Sequence, residues 1–513
     1  MLPVAEEKEF VVSKTQGGAP VAEAEIERKY DLAADRPIPR LVPVGPVTSQ
    51  ADPRVDLLDA TYFDTPDFRL AQAGITLRRR LGGSDEGWHL KLPVGEDRRE
   101  ELRLPLSGKP DKVPGALARL VRAHTLGAKL VQAAHLRTER TSYALLDVEG
   151  RELATLTDDV VTGEAGGDEA HLDRWREIEI ELSPGADPAV LDSLDQAVVS
   201  AGAERSRWPS KLRRLTDELV PSARGASGSV LADYLAEQLD VLRRNDIGVR
   251  RDVGDAVHKM RVASRRLRSG LKTFGRSFDA DVANGLTAEL RWLGGELGPA
   301  RDTEVMAARL HDEVKALPAE LVLGNVEQLM TRHFAREAEE SKARAIRALD
   351  SKRYTELLRA LEKLVGKPRK IKEGKKELRK AVARTDRKLR SAVAAASELE
   401  SGAEQDAALH EVRKKAKRAR YAADAVRPVT GKKLRKWRKN VKEVQSTLGT
   451  HHDFVVTRET LRLLGLRAYA ENENAFTYGL LHGRSVASAE AERRRFAGEW
   501  QEMSKGSHPK WLK

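Results

Sequence analysis

The sequence predicts an α+β protein: an N-terminal antiparallel β-domain followed by an all-α domain built by duplication. Three observations predict it. From residue 24 to about 215 the text runs in short alternating segments broken by Gly and Pro. After a Gly- and Ser-rich stretch at 220–229 it changes to long helical periods rich in Ala, Leu, Arg, Lys and Glu. Within that second part, two landmarks recur at almost one offset.

The elements follow in order. Residues 1–21 read as a loose leader; Glu6, Glu7 and Glu9 stand where a signal peptide would carry basic and then apolar residues. A β-domain is expected over 22–216, with strands at 24–30, 56–63, 75–81, 87–92, 100–106, 137–146, 152–161 and 175–182. Turn signals at 82–85, 95–97 and 183–185 separate them, and helices are expected at 114–123 and 188–201. A linker at 217–229 leads into a helical domain at 230–503, and 504–513 is a tail.

In the helical part, His258-x-x-Arg261-x-x-x-Arg265-Arg266-x-Arg268 is repeated as His410-x-x-Arg413-x-x-x-Lys417-Arg418-x-Arg420, 152 residues on. Leu297-Gly298-Pro299-Ala300-Arg301-Asp302 is followed 151 residues later by Leu448-Gly449-Thr450-His451-His452-Asp453. Two landmarks at one spacing indicate a duplicated bundle, with the break near 366–372.

Composition bounds the chemistry. The 513 residues carry 91 Lys and Arg against 79 Asp and Glu, a net charge of +12 that points to anionic partners. Cysteine is absent, which excludes disulfides, zinc–thiolate sites and thiol catalysis. No apolar run reaches the length of a membrane helix, and a cytoplasmic protein is expected. Aromatic residues make up 5%, too few for stacking on single-stranded nucleic acid, and no duplex-reading motif is present. Nucleic acid is therefore a disfavoured partner. The P-loop pattern is also missing.

Strand alternation puts Glu25, Glu27 and Lys29 on one face with Ile26 opposite. It likewise groups Glu177, Glu179 and Glu181 against Ile178, Ile180 and Leu182, and places Arg78 beside Arg80. Lys91, Arg137 and Arg140 add further cations. One such strand would be an ordinary wet face. Several strands of both signs fit a sheet curled into a barrel with its charges inward. Such a lining is costly to bury unless an anion and a hard cation compensate it.

These residues resemble the CYTH family of triphosphate tunnel metalloenzymes, whose signature is a Glu-x-Glu-x-Lys strand. Further matches are Tyr62-Phe63-Asp64-Thr65, Leu77-Arg78-Arg79-Arg80, Trp88-His89-Leu90-Lys91, the 177–181 strand and Ser210-Lys211. The resemblance implies an eight-stranded antiparallel β-barrel tunnel that hydrolyses inorganic triphosphate or an organic triphosphate with Mg²⁺ or Mn²⁺. It implies metal ligands at Glu25, Glu27, Glu177 and Glu179, with Glu181 and Asp158 as further candidates and Asp159 as the competing register. Lys29, Arg78, Arg80, Lys91, Arg137, Arg140 and Lys211 are the implied triphosphate grips. Glu25, Glu27 and Lys29 form the implied catalytic set. Thiamine-triphosphate hydrolysis and adenylate cyclisation are alternatives within the family, and a non-catalytic polyphosphate scaffold is a further one.

On a helix, 258, 261, 265 and 268 share one stripe, as do 410, 413, 417 and 420, while Leu267, Leu271 and Phe274 mark a buried face. A lone basic stripe is usually a solvated face; two equivalent stripes facing one groove make a positive channel. This half resembles the CHAD domain, which implies binding of inorganic polyphosphate. The implied contacts are His258, Arg261, Arg265, Arg266, Arg268, Arg301, His410, Arg413, Lys417, Arg418, Arg420 and His452. Association with polyphosphate granules is the corresponding expectation for location. Adjacent His451-His452-Asp453 point in different directions on a helix, so His452 and Asp453 are read as bracing the groove instead of holding a metal.

Overall fold

A computed structural model describes residues 20–95, 97–166, 171–220, 225, 227–505 and 510–512. The expected leader falls almost wholly outside these residues, and the expected linker and tail fall partly outside them. The chain divides into two compact units, Met1–Ala223 and Arg224–Lys513.

Eight long strands build the first unit: β1 (Val21–Asp31), β2 (Arg54–Asp64), β3 (Thr76–Leu81), β4 (Gly87–Gly95), β5 (Arg98–Leu104), β6 (Val131–Leu146), β7 (Glu152–Ala165) and β8 (His171–Leu182). They lie in the order β1-β5-β4-β3-β2-β6-β7-β8, and β8 pairs with β1 again, so the antiparallel sheet is a closed barrel. Each of the eight expected strands is present and most extend further. Closure explains the extension, because pairing on both sides carries a strand past the end of its sequence pattern.

Register decides which side chains face in. Glu27 lies opposite Glu181, Lys29 opposite Glu179, and Asp31 opposite Glu177. Directly paired residues share a face, so the charged side of β1 meets the charged side of β8. Their apolar side turns outward: Tyr30, Ile178, Ile180 and Leu156 join a buried cluster beneath helix α1 (Ala189–Ser200). Along β1 and β8 the barrel is thus polar within and apolar without, and α1 hides that outer apolar face from water. A second apolar cluster, including Leu136, Val161 and Trp175, shares the inward face with Arg140, Asp159 and Glu177 and packs against the short helix α2 (Lys211–Leu215).

The second unit is helical. One group is α3 (Val230–Arg250), α4 (Ala256–Thr273), α5 (Ala280–Lys315) and α6 (Val326–Asp350), followed by α7 (Lys352–Val365). The other is α8 (Lys375–Ser397), α9 (Ala403–Ala425), α10 (Arg435–Ala470) and α11 (Phe476–Lys505). Neighbours in sequence pack together within each group, and α4 also packs on α9. The third helix of each group is 36 residues long. Only a 3₁₀ turn at Pro368–Lys370 interrupts the non-helical stretch between Val365 and Lys375. The apolar side of α4 is buried through Leu267, Leu271 and Phe274. Among the described residues, no helix is long and apolar enough to cross a membrane.

Because the outer apolar layer holds the barrel closed, Ile180→Ala is expected to destabilise the first unit by about 2–5 kcal/mol. Urea denaturation followed by Trp fluorescence checks this, as a lower midpoint for that unit's transition.

Candidate functional site

The barrel interior collects eight cations and six carboxylates around a cavity of about 70 Å³. That volume holds a few water molecules at most, so the side chains fill the tunnel and pair with one another. Lys91 Nζ lies 2.8 and 2.7 Å from the two oxygens of Glu25. Lys29 Nζ lies 3.0 Å from Glu27 and also pairs with Glu179. Arg140 forks onto Asp159 at 2.8 and 2.6 Å and reaches Glu179 at 2.8 Å.

Ser210 accepts a hydrogen bond from the Arg213 backbone N–H and so starts α2. That cap aims Lys211 inward. Its ammonium stands 2.8 Å from Asp159, 2.7 Å from Glu177 and 2.8 Å from Glu179.

The electrostatics follow from this crowding. Burial, then Glu101, Glu181 and Glu27, outweigh Lys91 and push the Glu25 carboxyl up to about 7. Burial would also raise Glu27, but Lys29, Lys91 and Arg99 hold it below the usual carboxylate range. Glu179 is likewise buried, yet Lys211, Lys29 and Arg140 hold it well below that range. Burial, then Arg78 and Arg140, lowers Arg80. Arg78 Nε and Arg80 Nε are buried without a hydrogen-bond partner. Such donors are costly to leave unpaired, and they suit an anion in the tunnel.

The tunnel also fits a divalent cation. Asp159, Glu177 and Glu179 each bring an oxygen within 4.8 Å of the others, all three buried. The Lys211 ammonium already makes cation contacts with this set. Oxygen ligands without His or Cys suit a hard ion.

Two tunnel expectations are corrected. Asp158 faces outward: it is opposite Ile178 and forks onto Arg176 at 2.7 and 2.9 Å. Asp159 takes the inward position because alternation gives adjacent residues opposite faces. Arg137 is corrected for the same reason. It differs by an odd number of positions from the inward Arg140, its side chain is 76% exposed, and it approaches Asp59 at 3.6 Å on the outside.

The other predicted tunnel residues converge inside: Glu25, Glu27, Lys29, Arg78, Arg80, Lys91, Arg140, Glu179, Glu181 and Lys211 line the cavity, and Glu177 adjoins it through Lys211. Arg99, Glu101, Arg103 and Asp85 also line it, and sequence reasoning missed them. The alternation of Arg99, Glu101 and Arg103 along β5 was an available signal. Asp64, part of a matched motif, instead accepts backbone N–H groups of Thr65, Leu70 and Ala71 and shapes a turn.

In the second unit, α4, α5, α9 and α10 enclose a groove of about 1020 Å³. Twelve Lys and Arg side chains line it, against Asp302, Glu411 and Asp453. Of the predicted residues, His258, Arg261, Arg265, Arg268, Arg301, His410, Arg413, Lys417, Arg418, Arg420 and His452 are present. Arg266 is the correction: it turns to another face of α4, 3.3 Å from Gln238 and over the Tyr421 ring at 5.7 Å. A step of about 100° from Arg265 turns Arg266 toward α3, where Gln238 meets it.

The duplication reappears in contacts. Arg261 donates to Asp302 at 2.8 Å and to the Gly298 carbonyl at 2.9 Å, and Arg413 lies 3.9 Å from Asp453. A Cβ at Gly298 or Gly449 would meet the corresponding arginine at 3.8 or 3.6 Å, an ordinary van der Waals contact, so each arginine runs alongside the helix at its glycine. His452 stacks on His410 with centroids 4.0 Å apart, whereas His451 is buried against Asp406 at 3.2 Å. Burial, then His410 and Arg413, pushes His452 down to about 3. Lys272, Arg291 and Arg309 also line the groove and carry no repeat signal in the sequence.

Burial, then Arg413 and Arg265, pushes Lys417 down to about 7 against Asp453. A bound polyanion favours the charged ammonium, so binding above that pH takes up a proton. Affinity is expected to fall as pH rises from about 7 to about 9. Calorimetric titration with long-chain polyphosphate at the two pH values checks this, and Lys417→Arg should flatten the dependence.

Comparison with known proteins agrees with both halves. A family model described as CYTH domain matches residues 23–215, and one described as CHAD domain matches residues 233–462. Two uncharacterized proteins of Mycobacterium tuberculosis, from strains CDC 1551 and H37Rv, are each 36% identical over 505 residues, spanning 95% of this chain and 97% of theirs. The crystal structure of a CHAD domain from the plant Ricinus communis aligns with 55% of this chain and 92% of its own, at 24% identity and a TM-score of 0.44.

Proposed function

The chain belongs to the family that joins a CYTH domain to a CHAD domain, and on that premise we propose that it hydrolyses inorganic triphosphate in the barrel and binds inorganic polyphosphate through the helical groove. One observation carries the reading. Buried carboxylates and unsatisfied guanidinium donors face each other inside a closed barrel, an arrangement that pure anion binding does not require.

Lys29, Arg78, Arg80, Lys91, Arg140 and Lys211 grip phosphate oxygens, the arginines through forked donors. Glu25, Glu27, Asp159, Glu177, Glu179 and Glu181 supply the oxygens for Mg²⁺ or Mn²⁺. Such an ion, when bound, neutralises phosphate charge and polarises water. The water oxygen attacks the terminal phosphorus, the bridging P–O bond breaks, and orthophosphate and pyrophosphate leave. A tunnel carboxylate accepts the proton of the attacking water, and the cations hold the chain in line. Before substrate enters, the same cations are paired with carboxylates, so binding exchanges internal ion pairs for phosphate contacts.

In the second unit, twelve cations in one groove match a repeating anion without demanding a sequence of chemical groups. Polyphosphate, including its granules, fits that requirement and places the tunnel near condensed phosphate.

Purified protein with Mg²⁺ or Mn²⁺ is expected to release phosphate from tripolyphosphate, and Glu27→Ala to lower kcat by at least about a hundredfold. A malachite-green assay across tripolyphosphate, thiamine triphosphate and ATP checks this and ranks the substrates. Full activity in Glu27→Ala would remove the assignment.

A further inference from the structure

We propose that Asp85 is a specificity-determining residue of the tunnel: its carboxylate ends the row of cations at Arg80 and so favours short triphosphates over longer phosphate chains. The proposal rests on the triphosphate reading of the tunnel. Arg78 and Arg80 alternate inward along β3, and Arg80 is the last inward residue before the strand ends at Leu81. The turn 82–86 follows at the rim of the barrel. Asp85 comes back from that turn, lines the cavity and pairs with Arg80.

The turn is built to hold this contact. Gly82 has φ +79°, and a Cβ there would lie 2.2 Å from the Leu57 carbonyl oxygen. Gly83 has φ +76°, and its Cβ would meet the Leu58 side chain at 2.9 Å. No other residue type takes this path without moving β2. The Asp85 carbonyl is tied down from within, 2.8 Å from Nε2 of the buried His89. The other ring nitrogen of His89 is 2.8 Å from Glu101 in the tunnel. The rim carboxylate is thus connected through the backbone and one imidazole to Glu101 in the tunnel lining.

Arg80 consequently serves two anions. Asp85 engages a terminal guanidinium nitrogen, and the buried Nε has no hydrogen-bond partner. A phosphate inside the tunnel can take that donor. A chain continuing past Arg80 would bring its next phosphate against the Asp85 carboxylate, and repulsion of like charges selects against it.

The test compares kcat/KM of the full chain for inorganic tripolyphosphate and for a long-chain polyphosphate of defined length, with Mg²⁺ or Mn²⁺. Asp85→Asn is expected to shift the ratio toward the long chain by on the order of tenfold. Asp85→Glu should keep the wild-type ratio, and Asp85→Ser repeats the neutral test if the Asn variant folds poorly. An unchanged ratio in the neutral variants, or an equal shift in Asp85→Glu, would overturn the role of Asp85 while tripolyphosphate is still cleaved. A wild-type protein that cleaves neither substrate would overturn the tunnel reading itself.

Discussion

Charges of both signs packed inside a closed barrel are what the first unit must accommodate. A buried ion without a partner is prohibitively costly, and a buried pair is tolerable only with good geometry. The barrel meets this by pairing: Lys29 with Glu27 and Glu179, Lys91 with Glu25, and Arg140 with Asp159 and Glu179. Lys211, delivered by a capped helix, completes the acidic end. The apolar residues that alternate with these charges on β1 and β8 go outward, so that face needs α1 as a covering layer, while α2 packs on an apolar stretch of the barrel interior. Interior chemistry and exterior packing are two consequences of one alternation.

Under the proposed function, the same interior has donors left for a ligand. Its ion pairs satisfy most of the lining, but the buried Nε atoms of Arg78 and Arg80 stay without partners. Under the proposed function, a polyanion accompanied by a divalent cation would replace these internal pairs with contacts of the same sign pattern. The lining and the rim are joined physically, because His89 bridges Glu101 and the backbone of the turn that carries Asp85.

The helical unit solves the opposite problem. Its groove gathers like charges that repel one another; burial, then the repulsion of Arg413 and Arg265, lowers Lys417. What holds them there is apolar packing on the other side of the same helices, with Met260, Ala263 and Leu267 under the first stripe and Val412, Ala416 and Ala419 under the second. Duplication supplies two stripes from one design, and α4 packs on α9 where they meet. The copies are not identical: Arg301 in the first corresponds to His452 in the second, which stacks on His410.

The period-two and period-three-and-four patterns, the turn residues and the repeated landmarks were enough to determine the element types, the duplication and most of the charged faces. They are local properties of a strand or a helix, and residues such as Glu25, Glu27, Arg78, Arg265 and Arg413 carry them in plain text. Three choices required the tertiary structure. Whether Asp158 or Asp159 looks inward depends on pairing with β8, and a shift of one residue exchanges them. Arg137 reads as a cation among cations until the parity of β6 is anchored by Arg140 and Asp159. Arg266 lies beside a groove residue in sequence yet faces Gln238, because only the packing of α4 against α3 and α9 decides which cationic side of the helix is enclosed. Long-range partners such as Asp85 and Arg291 left no periodic trace, since a turn and a helix face acquire their neighbours only when the chain closes on itself.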